Sequence, residues 1–143
     1  MSAFRVWADV DVRFRDTDAM GHVNNAVYVT YLEVARQVYW RRVEPERAYD
    51  RVPFILAHAS LDFRAPATVE DALRVLVRTA WIGRSSFGTR YEIRDRAARR
   101  LFVTAESVQV TYDYGAQRSI PIPDAIRRAF EAIEGGPLPD KPR

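Results

Sequence analysis

Two acids, a histidine and two side-chain amides crowd into one short stretch, as Asp16, Asp18, His22, Asn24 and Asn25, and an apolar helical pattern begins directly behind them. A carboxylate can attack an acyl carbonyl as a nucleophile, or take a proton from water as a general base. The first N–H groups of a helix have no intrahelical acceptors and carry partial positive charge. They can therefore hold a carbonyl oxygen as it becomes negative. A carboxylate set against such a helix start suggests acyl-group hydrolysis. Gly21 supplies the turn that can fold Asp18 back toward the helix end.

The helix that must position this chemistry is read from Val27, Tyr28, Tyr31, Leu32, Ala35, Val38 and Tyr39, which recur at spacings of three and four. Asn24 and Asn25 stand where an N-cap belongs, and the polar run with Pro45 predicts a stop near Val43. Ahead of the acids, Val6, Ala8, Val10, Val12 and Phe14 alternate with polar residues and Trp7, a period of two that predicts a half-buried strand leading into Asp16. After the helix, further strands are predicted over Ala57 to Phe63, Leu73 to Trp81, Phe87 to Ile93 and Leu101 to Tyr112. The sets Leu73, Val75, Val77, Thr79, Trp81 and Val108, Val110, Tyr112 are each expected to share a face. Ala125, Ile126, Ala129, Phe130 and Ile133 predict a second helix over about 124–134, followed by a loose proline-rich tail. One long helix with strands joined by short turns makes an α+β domain whose antiparallel sheet can wrap the helix.

A chain of 143 residues with 48% hydrophobic composition is long enough for one core and short for two, so a single domain over 1–143 is expected. It contains no cysteine, which excludes disulfides and thiolate chemistry. No run approaches the roughly 18 apolar residues that span a bilayer, and no signal-like segment opens the chain, so the expected location is cytoplasmic. The net charge of +3 comes almost wholly from arginines spread along the chain. That distribution, without an aromatic and basic binding motif, disfavours nucleic acid. The cluster Arg96, Arg99 and Arg100 offers guanidinium contacts for phosphate. A metal centre on Asp16, Asp18 and His22 lacks further ligands, His58 being the only other histidine. Neither a metal nor another cofactor is expected.

The run Asp-Thr-Asp-Ala-Met-Gly-His-Val-Asn-Asn-Ala-Val-Tyr followed by Leu-Glu-Val-Ala-Arg resembles the hotdog-fold acyl-CoA thioesterases of the 4-hydroxybenzoyl-CoA thioesterase family. Phe63-Arg64-Ala65-Pro66 and Gly83-Arg84-Ser85-Ser86-Phe87 are similar to that family too. The resemblance implies a hotdog fold, hydrolysis of an acyl-CoA or acyl carrier protein thioester, and a homodimer or homotetramer with sites at subunit boundaries. It aligns Asp18 with the catalytic carboxylate, and the backbone N–H of Asn25 with the group that polarises the thioester carbonyl. His22 either orients Asp18 or the thioester, or serves as a structural hydrogen-bonding group. Glu33 is either half of an ion pair with Arg36, supported by Gln37, or the helix acid turned toward a partner subunit's acyl pocket. Arg84, Ser85 and Ser86 lie along the CoA channel by resemblance, and read as an ordinary hairpin connection by spacing. CoA enters as part of the substrate. Tyr28, Tyr31 and Trp81 are expected as core or pocket walls. A non-catalytic acyl-CoA sensor is the competing function, and a hotdog enoyl-CoA hydratase a weaker one, since its Asp-x-Asn-Pro-x-His pattern is absent.

Overall fold

The computed structural model describes residues 3–47, 52–97 and 99–143. Its elements in chain order are β1 (Val6–Asp11), a 3-10 turn (Phe14–Asp16), α1 (Asn25–Val43), β2 (Phe54–Phe63), β3 (Ala72–Ile82), β4 (Ser86–Asp95), β5 (Leu101–Asp113), β6 (Arg118–Ser119) and α2 (Asp124–Glu134). The antiparallel sheet runs β1-β3-β4-β5-β2, with β6 paired to β5. This is the α+β architecture expected from the sequence, with β5 inside the sheet and β1 and β2 at its edges.

Helix α1 crosses one face of the sheet. Its buried stripe of Tyr28, Tyr31, Leu32, Ala35, Tyr39 and Trp40 packs on Leu73, Val75, Val77, Phe87, Tyr91 and Ile93, and each fully buried Leu, Val, Ile or Phe among them contributes about 1.5–3 kcal/mol relative to exposure. An aromatic cluster closes one end, with Trp40 4.8 Å from Phe54 and Phe87 4.8 Å from Phe130 between ring centroids. At that end α2 is tied in by Glu134, whose Oε2 accepts from the Tyr39 hydroxyl at 2.7 Å and from the Thr79 N–H at 3.0 Å.

Four expectations are corrected. Phe14 does not continue the buried face of β1: the chain leaves the ladder at Asp11 and tightens into the 3-10 turn, leaving Phe14 86% exposed. Trp81 does not share a face with Thr79, because the β3–β4 register shifts between Thr79 and Trp81. The indole lies over Gly88, where a Cβ would overlap it. The tail is not loose, since the Pro139 carbonyl accepts from the Ile82 N–H at 3.0 Å and Lys141 lies over the Trp81 ring. Finally, Arg96 is ion-paired to Asp11 at 2.7 Å and Arg100 covers the Phe102 ring, so the two do not present a joint phosphate site with Arg99.

Val108, Val110 and Tyr112 do share a face of β5, but it is the half-buried outer one. The face toward α1 carries the fully buried Ser107, Gln109 and Thr111. These polar groups are satisfied laterally: the Tyr91 hydroxyl and Ser107 Oγ are 2.6 Å apart, and Gln109 Nε2 donates to Thr89 Oγ1 at 3.0 Å.

Candidate active site

The acidic stretch is held by Asp16, which is buried at 3% exposure. Its carboxylate accepts from the Arg13 N–H at 3.0 Å, from Arg13 Nη2 at 3.0 Å and from the Tyr31 hydroxyl at 2.8 Å, while its carbonyl takes the Asn24 N–H at 2.8 Å. Burial pushes the Asp16 pKa up, but the Arg13 and Tyr31 hydrogen bonds and the Arg13 charge outweigh it and hold the carboxyl below its ordinary value. Burial, reinforced by the same contact, drives the Tyr31 phenol upward, so it stays a neutral donor. A folded-state pKa below the unfolded value contributes stability above about pH 4 that is lost as pH falls through the folded value. Asp16→Asn is therefore expected to lower the Tm at pH 7. The gap to wild type should narrow in melts taken below about pH 4, and a gap independent of pH would assign the loss to packing instead of charge.

Asp18 sits two residues on, in a compact turn. Its N–H donates to the His22 carbonyl at 2.8 Å, and its carbonyl accepts from the Gly21 N–H at 3.0 Å. Gly21 takes a φ of 78°, the left-handed region that favours glycine. Asp18 is exposed, and its Oδ1 accepts the N–H groups of Met20 at 2.9 Å and His22 at 3.2 Å. Oδ2 has no hydrogen bond among the described residues. One carboxylate oxygen thus fixes the side chain, and the other is left for an incoming group.

The helix begins next door. Asn24 is the N-cap: its side chain accepts the Ala26 N–H at 2.9 Å and its carbonyl the Val27 N–H at 2.9 Å. The Asn25 N–H, at the first helical position, has no acceptor among the described residues. His22 pairs through its backbone with Thr68, and its imidazole makes no hydrogen bond among the described residues. Glu33 is exposed on α1 without an ion pair among them. The ion-pair alternative for Glu33 is corrected here, because Arg36 turns inward, is buried, and donates to the Tyr91 hydroxyl at 3.2 Å.

Asp18 and His22 therefore share one turn, Asn25 opens the helix that follows it, and Arg84, Ser85 and Ser86 do not join them within one chain. The Asp16–Asn25 segment follows the end of β1, where Asp11 pairs with Ala72 at the start of β3. Arg84 to Ser86 lies beyond the far end of β3, about 30 Å away by strand rise. There the connection is a tight turn, with Gly83 N–H on the Ser86 carbonyl at 2.7 Å, Ile122 N–H on the Arg84 carbonyl at 2.8 Å, and Thr111 N–H on the Ser85 carbonyl at 2.8 Å. The Arg84 side chain is exposed. Tyr31, expected as a core or pocket-wall residue, lies in the core and also places its hydroxyl on Asp16; nothing in a helical stripe announces a partner 15 residues upstream.

Among the described residues, no three His, Cys, Asp or Glu side chains converge as metal ligands, and no helix is long and apolar enough to cross a membrane. An antiparallel sheet wrapped around a long helix, with an acidic turn and a capped helix start at one end, defines a hotdog-fold protein of the thioesterase class. Residues 12–130 match the model of the thioesterase-like superfamily. The chain belongs to that superfamily. It is similar to a thioesterase from Thermus thermophilus crystallised with coenzyme A and Zn, at 38% identity and a TM-score of 0.87, over 96% of this chain and 100% of that one. A 1,4-dihydroxy-2-naphthoyl-CoA hydrolase from Nostoc punctiforme (strain ATCC 29133 / PCC 73102) is 29% identical over 84% of this chain and 82% of its own. The protein YsmA of Bacillus subtilis (strain 168) is 28% identical over 63% of this chain, and the match spans 61% of YsmA's length.

Proposed function

We propose that the protein hydrolyses an acyl-CoA thioester to a free acid and CoA, with Asp18 as nucleophile or general base. The observation that carries this reading is the division of labour at Asp18: Oδ1 is anchored by two backbone N–H groups and Oδ2 makes no hydrogen bond among the described residues, in the turn that leads into the capped start of α1. On the nucleophilic route, Oδ2 attacks the thioester carbon, the carbonyl oxygen becomes negative against the Asn25 N–H, and the C–S bond breaks as the thiolate leaves and is protonated. Water then cleaves the mixed anhydride and restores the carboxylate. On the general-base route, Asp18 takes a proton from the water that attacks the same carbon, and that proton passes to the departing thiolate. Both consume one water and are served by the same oxyanion donor. His22 orients this turn, and Glu33 faces the substrate side of α1.

The similarity to a thioesterase crystallised with coenzyme A and to a naphthoyl-CoA hydrolase supports CoA as the carrier. Chain length 1–143 acts as one domain on this reading, and the working unit is a homo-oligomer. Strand β2 supports that assembly: it is a sheet edge of 10 residues, exposed along most of its length, with Ile55, Leu56 and Phe63 open to solvent. A long apolar edge with one carboxylate is a surface that another strand can complete. A panel of aliphatic and aromatic acyl-CoAs assayed by thiol release tests the function, with turnover of at least one expected. Tight binding of an acyl-CoA without turnover of any would replace the enzyme by an acyl-CoA sensor.

A further inference from the structure

The sheet face turned away from α1 holds a groove of about 670 Å³ across β1, β3 and β4. Arginines dominate it in directly opposed pairs: Arg74 faces Arg94, and Arg78 faces Arg90, across the β3–β4 ladder. Like charges directly opposite one another are unfavourable. The first pair is relieved locally, Arg74 by Asp9 at 2.8 Å and Arg94 by Glu92 at 2.7 Å. The second pair is not. Arg90 makes no ion pair among the described residues, although Glu106 is its neighbour on β5. Arg78 Nε is buried without a hydrogen-bond partner.

Two arginines directly opposed across a ladder with no ion pair among the described residues are a penalty at one spot, and a single oxyanion set between the two side chains removes it. A guanidinium presents parallel N–H donors that match phosphate oxygens. Beside the pair, Leu76 and the half-exposed Trp7, one ring face of which carries the Arg74 guanidinium, give the groove an apolar floor, and its volume exceeds what one phosphate fills. We propose that Arg78 and Arg90 form an anion site on the outer sheet face that takes the phosphate of a small phosphorylated molecule, whose remainder lies against Trp7 and Leu76. The site is in mid-strand on the face opposite α1, apart from the Asp18 turn.

Pyrophosphate is the probe, added to the full chain and compared with sodium chloride at matched ionic strength. Pyrophosphate is expected to raise the Tm by about 3 °C or more at saturation. Arg90→Gln should abolish the shift while leaving acyl-CoA kinetics unchanged, and Asp18→Asn should keep the shift. Arg78→Met serves as a second variant: it removes the buried Nε, so it should lose the pyrophosphate response and melt no lower than wild type without ligand. An equal response to chloride, meaning charge screening only, would overturn the proposal. So would a pyrophosphate shift that survives Arg90→Gln. A rise in acyl-CoA KM in Arg90→Gln would also overturn it, by moving the pair into the substrate path.

Discussion

Asp18→Asn is expected to lower kcat/KM for the best acyl-CoA by about 100-fold or more, the usual scale of a lost acid–base or nucleophilic group and equivalent to about 2.7 kcal/mol of transition-state stabilisation. The substitution is well matched to the geometry. Its amide oxygen can still accept the Met20 and His22 N–H groups that fix the turn, so the Asp18–His22 loop has no reason to open. What disappears is the negative charge at the free oxygen. The Tm should accordingly move little and CoA binding should persist, whereas Asp18→Ala removes the turn anchor as well and should cost stability. Asp16→Asn makes the contrast: it disturbs a carboxylate buried against Arg13 and Tyr31, so its main effect is on stability. If purified, folded Asp18→Asn turns over at near wild-type rate, Asp18 loses its assigned role.

The helix and its cap were legible because periodicity and capping are local. Asn24 needs only its own next few residues to act as a cap, and the apolar stripe of α1 needs only its own spacing. The acidic turn was legible for the same reason, since Gly21 and the N–H groups that hold Asp18 lie within four residues of it. Where the reading departed from the structure, the deciding contact came from elsewhere in the chain. Trp81 changes face because of a register shift and a glycine on the neighbouring strand. Arg36 turns inward because Tyr91, 55 residues away, offers a hydroxyl. On β5, alternation revealed two faces, but it could not reveal that the face with Ser107, Gln109 and Thr111 is the one that meets α1: lateral bonds to Tyr91 and Thr89 make those polar groups tolerable there.

Mixing two disabled chains should restore activity. Within one chain Asp18 and Arg84 stand at opposite ends of β3, so no single chain can bring the assigned carboxylate and the assigned CoA contact to one thioester. Antiparallel pairing of two β2 edges about a two-fold axis reverses the second chain, and so carries the partner's far end toward the first chain's acidic turn. Asp18→Asn lacks the attacking charge, and Arg84→Glu replaces a phosphate donor with a repelling acid; each homodimer should be nearly inactive at substrate levels below KM. In a hybrid, one site takes Asp18 from the Arg84→Glu chain and Arg84 from the Asp18→Asn chain, and is whole; the other carries both lesions. With equal amounts exchanging freely, half the dimers are hybrids with one good site in two, so recovery should approach about a quarter of wild-type activity. Light scattering and native mass spectrometry establish that the hybrids have formed. Hybrids present without recovered turnover would return both residues to separate duties, and full activity in a monomer would remove the shared site altogether.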